Sequence, residues 1–158
     1  MALTRIGDGG MPSGSVVQIL QDTSIALTDI ASGATASGVL SQAITPFSSS
    51  SKILINISVN IGGVNNSYGH GQLKRGSTLI GAGDASSSRS QASFGLMSGL
   101  SSNFEYRMAN HNFTFLDSPS TTSATTYKTQ GRLSDSSADL YYQHDSSRST
   151  MVLMEIAQ

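Results

Sequence analysis

Isoleucine or valine stands at positions 53, 55, 57, 59 and 61, while 52, 56, 58 and 60 are polar. That period of two places one apolar row on a single side of an extended strand. β-branched side chains are stiff at χ1 and pack well on a pleated surface, so this stretch predicts strand over helix. The same logic predicts strands over 16–21, 25–28 and 39–44, the last ended by Thr45-Pro46, where proline removes a ladder donor. A polar turn at 48–51 leads into the long strand 52–61, and Gly62-Gly63 and Asn65-Asn66 read as turns. Segments 68–75 and 78–80 read as a hairpin closed by Gly76-Ser77 in a type II′ turn.

Residues 86–102 form a serine- and glycine-rich connection with Phe94, Leu96 and Met97 folded inward. Two strands follow at 104–109 and 111–116, then a loop over 117–124. Strands at 125–133 and 139–143 flank a turn at 134–138. The last strand, 150–156, carries apolar residues at both parities, the pattern of a strand covered on both sides. About nine or ten short strands with no helical period predict an all-β fold, an antiparallel β-sandwich of jelly-roll type. The domain reading is an extended arm over 1–14 and a sandwich over 15–158.

Composition narrows the function. Charged residues make up 12% of the 158, the formal net charge is −1, and serine and threonine exceed a quarter of the chain. This balance lacks the basic footprint that nucleic acid or an anionic membrane surface demands. No cysteine is present, which excludes disulfides and thiolate metal sites. The N-terminus has no basic segment followed by an apolar core, so it does not read as a signal peptide. No apolar run approaches the ~20 residues that span a bilayer, and no membrane insertion is expected.

Candidate chemistry is sparse. His70, His111 and His144 are scattered, and no pair has metal-ligand spacing. Asp117, Asp135, Asp139 and Asp145 could pair as glycosidase carboxylates, but aspartate beside serine in such loops reads as turn capping. Gly81-Ala-Gly-Asp lacks the third glycine of a dinucleotide loop, and no Gly-x-Ser-x-Gly elbow occurs. The chain therefore reads as a non-enzyme with no cofactor and no metal. Tyrosine combines an apolar face with a hydroxyl, so Tyr106, Tyr141 and Tyr142, with His70, are the candidate glycan or interface contacts. Adjacent strand residues face opposite ways, so only one of Tyr141 and Tyr142 can be fully core.

Five segments carry a resemblance when taken in order. They are Met11-Pro-Ser-Gly-Ser-Val-Val-Gln, Phe47-Ser-Ser-Ser-Ser-Lys-Ile-Leu-Ile, Leu73-Lys-Arg-Gly-Ser-Thr-Leu-Ile-Gly, Phe115-Leu-Asp-Ser-Pro-Ser-Thr-Thr-Ser-Ala-Thr-Thr-Tyr-Lys and Met151-Val-Leu-Met-Glu-Ile. Over about residues 11–157 the chain resembles a β domain of virion structural proteins from bacteriophages of aquatic and cyanobacterial hosts, usually labelled tail fibre or minor structural protein. The resemblance implies a non-enzymatic, trimeric fibre tip or surface knob located on a virion assembled in the host cytoplasm. It supplies no functional residues to transfer. The chain departs from long fibres in having no shaft and no coiled-coil heptads, which favours a short appendage.

On this reading residues 1–14 anchor the domain to other virion proteins, with Leu3, Ile6 and Met11 as the apolar plugs. The surface, rich in hydroxyls and amides, suits hydrogen bonding to neutral host glycans, with several copies supplying avidity. Host-surface adhesion by a homotrimer is the leading expectation, and a capsid decoration or head-fibre protein that cements the shell is the alternative. A free carbohydrate-binding module fits less well because tryptophan is absent.

Overall fold

The alternating stretch forms the longest strand, β4 (Lys52–Val64), and its inner row Ile53, Ile55, Ile57, Val59 and Ile61 is at most 3% exposed. The computed structural model describes residues 11–30, 35–64, 69–88, 90–95, 107–133, 139–143 and 146–158. Eleven strands occur among them. Before β4 come β1 (Val16–Ser24), β2 (Thr28–Ile30) and β3 (Thr35–Ile44). After it come β5 (Gly69–Arg75), β6 (Thr78–Ile80), β7 (Phe94–Gly95), β8 (Arg107–Asp117), β9 (Thr125–Leu133), β10 (Asp139–Tyr142) and β11 (Ser149–Ile156).

All pairings are antiparallel and build two sheets. Sheet A runs β1-β11-β4-β8, with β10 and β2 continuing beside the C-terminal end of β4. Sheet B runs β3-β9-β5-β6, with β7 on the β6 side of β5. Without β2, β7 and β10 eight strands remain, which rank first, eighth, third and sixth in one sheet and second, seventh, fourth and fifth in the other. That order is the jelly roll, in which two Greek keys fold across a shared core. Leu40, Ile44, Leu73, Phe94, Tyr127, Tyr142, Met151 and Leu153 fill the interior against the β4 row.

Gly76 closes the β5–β6 hairpin at φ +59° with Arg75 opposite Thr78, as a type II′ turn requires. Gly71 has a different reason: a Cβ there would stand 2.0 Å from the Phe94 ring, so the missing side chain is what lets Phe94 enter the core. Leu96 and Met97 lie outside the described residues.

Several expectations need correction. Residues 25–27 are not strand, and Ile25 and Leu27 are 58% and 61% exposed. Ser24 Oγ accepts from Ala26 N, and Thr28 Oγ1 donates to Ala26 O, so local side-chain bonds replace a ladder there. Gly62 and Gly63 are not a turn: Met108 and Tyr141 flank Gly62, and Arg107 and Leu140 flank Gly63, so partners on both sides hold the glycines in β4. Where two strands were expected, β8 runs unbroken across Asn110, whose side chain is spent across the sheet on Ser58 and Asn60. β11 is covered on one side only; Met151 and Leu153 are core, whereas Val152, Met154 and Ile156 lie half-buried on the outside.

Candidate interaction surface

The period of two that fills the core with odd positions of β4 sends the even ones to the outer face of sheet A. Register then decides what joins them. Leu54 lies opposite Leu116 of β8 and Met154 of β11, and Met154 lies opposite Ile19 of β1. These four form one apolar row across four strands, with its ends Ile19 and Leu116 58% and 48% exposed. The next row outward adds Ile156 and Val16, beside Lys52. Strand reading missed this row because its members come from four separate segments. The available signal was leucine or methionine at outward parity, at 54, 116 and 154.

Further along β4 the same face turns polar. Asn56, Ser58 and Asn60 stand opposite Thr114, Asn112 and Asn110. Asn110 Nδ2 donates to Ser58 Oγ and Asn60 Oδ1, both at 2.9 Å, and Thr114 Oγ1 donates to Asn56 Oδ1 at 2.8 Å. Asn112 Nδ2 donates to Asn110 Oδ1 at 2.6 Å. The amides are locked by one another, so this half of the face is ordered without charge. Tyr141 lies at its far end, opposite Gly62 and Asp29.

The structure separates the candidate residues. Tyr142, opposite Ile61, is wholly buried, and burial pushes its phenol above the ordinary range; it is core and makes no surface contact, a correction. Tyr141 takes the outer face, as strand alternation requires. His70 lies on the outer face of sheet B, opposite Arg132 of β9. Met11 is half-buried just before the sandwich, to which the chain is tied by Gly14 N donating to Ala157 O and Ala157 N donating to Ser15 O. Leu3, Ile6, Tyr106 and His144 lie outside the described residues. These residues therefore do not form one cluster among those described.

Asp117 is no turn cap. It is 7% exposed, and its carboxylate accepts from Arg75 Nη1 at 3.0 and 2.9 Å and from the Tyr127 hydroxyl at 2.6 Å. Asp117 belongs to sheet A and both donors to sheet B, so the cluster is a polar clasp between the sheets. Burial, then the hydrogen bond to Asp117, drives the Tyr127 phenol well above its ordinary range. Asp139 begins β10, while Asp135 and Asp145 lie outside the described residues.

His111 faces inward opposite Val59, and His70 outward; the Nε2 atoms of both are buried without a hydrogen-bond partner. Burial lowers both imidazoles below the usual value, and the Arg132 charge lowers His70 further. The native state thus resists protonation that the unfolded chain accepts near pH 6.5. This contribution to stability is complete above pH 6.5 and is lost as pH falls below it toward the lowered native values. Thermal melts from pH 7.5 to 5 are expected to show a falling Tm, and a H70N/H111N variant a flatter slope. Parallel slopes would refute the assignment.

Two shallow clefts lie toward the end of the sandwich where β3 stops beside the start of β9. One is lined by Gln18, Leu20, Ala43, Thr45, Pro46 and Phe47, the other by Arg75, Gly76, Pro119, Thr121 and Ala124 to Thr126. Neither lining holds a carboxylate or imidazole. The buried Glu155 behind the first accepts from Phe47 N at 2.7 Å and from Gln18 Nε2. No group of three metal-ligating side chains occurs among the described residues.

No family model matches the sequence, and no curated protein matches it. Among solved structures the chain is similar to the VP2 subviral particle of infectious bursal disease virus, at 13% identity and a TM-score of 0.44. The match covers 89% of this chain and 37% of that one, so this chain spans little more than a third of that protein's length.

Proposed function

We propose that this jelly roll is a non-catalytic structural component of a virus particle, a short trimeric appendage that contacts the host surface. The observation that carries the assembly part is the apolar row Ile19–Met154–Leu54–Leu116, exposed at both ends on the outer face of sheet A. A row of this kind on a solvent face gains by being covered, and the occupant we assign is the same face region of neighbouring copies around a threefold axis. A chain of net charge −1 offers little electrostatic resistance to self-association. The sequence resemblance to phage virion proteins and the jelly-roll topology support the virion setting. Residues 1–14, with Leu3, Ile6 and Met11, then hold the appendage to the particle, and adhesion falls to the surfaces the trimer leaves open. Decoration of the capsid shell is the second reading, because the same row could seat on a shell protein.

Sedimentation of the purified chain at micromolar concentration is expected to give a trimer. Ile19→Asp with Leu116→Asp is expected to give monomers of unchanged circular dichroism, since both positions are exposed. A wild-type monomer would overturn trimerisation, and labelling the chain on intact particles separates tail from shell.

A further inference from the structure

The two outer faces differ in charge in a way that average composition hides. On sheet A, the rows from Leu54 to Asn60 carry no charged side chain. On sheet B, β5 and β9 set Lys74 directly opposite Lys128 and His70 directly opposite Arg132, with Gln72 opposite Gln130 between them. Leu73 of β5 and Tyr127 of β9 are core, so these alternate positions all point outward. Among the described residues none of Lys74, Lys128 and Arg132 is in an ion pair, and the recorded pair, Arg75 with Asp117, lies on the inner side.

Like charges placed directly opposite on neighbouring strands destabilise a sheet. The chain has nine lysines and arginines in all, yet three converge here. The surrounding outward positions that solvent reaches are Ser41 on β3, exposed, and Gln130 at the centre, half-buried, so neutral residues suit this surface. Mutually repelling cations without counter-charges are relieved when an anion bridges them. The row of Lys74 and Lys128 and the row of His70 and Arg132 are four residues apart, about 13 Å along the strands. A single small anion cannot reach both rows. A linear polymer can, running along β9 with its hydroxyls on Gln130; Gln72 beside it is buried, donating to Gln91 O at 2.8 Å.

We infer that the outer face of sheet B binds an acidic polysaccharide, its carboxylates taken by Lys74 and Lys128 at one end and Arg132 at the other. The inference deepens the adhesion part of the proposed function and rests on it. Nucleic acid is the poorer ligand: none of the outward positions just named is Phe, Tyr or Trp, and the imidazole of His70 has its Nε2 buried, so no open platform for base stacking is present on them.

The test is affinity electrophoresis of the purified chain through gels holding polygalacturonate, dextran or neither, at low and raised salt. Expected are retardation by polygalacturonate alone, loss of it at raised salt, and at least tenfold weaker binding for Lys74→Gln with Lys128→Gln. Arg148→Gln, an exposed neutralisation near the β11 end of sheet A, should bind as wild type, while Lys128→Gln alone should be weakened. Lys128→Glu places an opposite charge beside Lys74, so its Tm should hold or rise while binding disappears; that combination excludes unfolding as the cause. No retardation by polygalacturonate, equal retardation by dextran, equal loss in Arg148→Gln, or equal binding of a DNA duplex would each overturn the inference. Sedimentation of the same samples keeps the two proposals apart. A monomer that binds refutes the trimer alone, and a trimer that does not bind refutes this site alone.

Discussion

Asp117→Ala is expected to destabilise the domain by about 3 kcal/mol, the lower end of the range for breaking a buried charged pair. The lower end applies because the Arg75 side chain is 30% exposed and recovers some hydration when its partner is lost. The loss has two parts. Arg75 is left without its carboxylate, and the fully buried Tyr127 hydroxyl is left without an acceptor. Against a total stability of about 5–15 kcal/mol this is a large fraction. Tyr127→Phe removes one donor and keeps the ion pair, so about 1–2 kcal/mol is expected. Asp117→Asn should fall between the two, since the amide oxygen still accepts from tyrosine while the countercharge is gone. Urea denaturation at pH 7 reads all three. Were Asp117→Ala to unfold within 1 kcal/mol of wild type, the clasp would not be what joins the sheets on this side.

Ile55→Ala carries the second large effect, about 2–5 kcal/mol. Ile55 is 0% exposed and flanked by Leu153 and Phe115 in the middle of β4, with strands on both sides to limit collapse around the cavity. Its neighbour Leu54 is the informative contrast. One position along the chain and on the opposite face, Leu54→Ala should cost the isolated subunit only about 1 kcal/mol. Its measurable effect should be on assembly, through loss of the centre of the apolar row. Melts run under dissociating dilution, together with sedimentation at higher concentration, distinguish the two. A large loss of monomer stability for Leu54→Ala would mean that this face is packed within the subunit and is not a contact between copies.

Strand alternation made much of this architecture readable. The inner row of β4, the hairpin at Gly76 and the inward Phe94 all follow from local rules, because side-chain parity is set within a few residues. The division of labour between Tyr141 and Tyr142 was also local in origin, although which of them turned inward waited for the pairing of Tyr142 with Ile61. The failures share one cause. Gly62-Gly63 looked like a turn and Asn110 looked like a break until partners on neighbouring strands were in place to hold them extended. Asp117 looked like a loop cap because its arginine partner lies 42 residues away and its tyrosine belongs to another strand.

The order of apolar and polar residues along this chain was enough to dictate pleated strands and a shared interior. Which outward side chains became neighbours was decided by strand order and register alone. Ile19, Leu54, Leu116 and Met154 make one row, and Lys74 meets Lys128, because the two Greek keys bring distant segments side by side. Parity is a property of the backbone at each residue, whereas lateral adjacency belongs to the closed fold, and the surfaces proposed to act are built from adjacency.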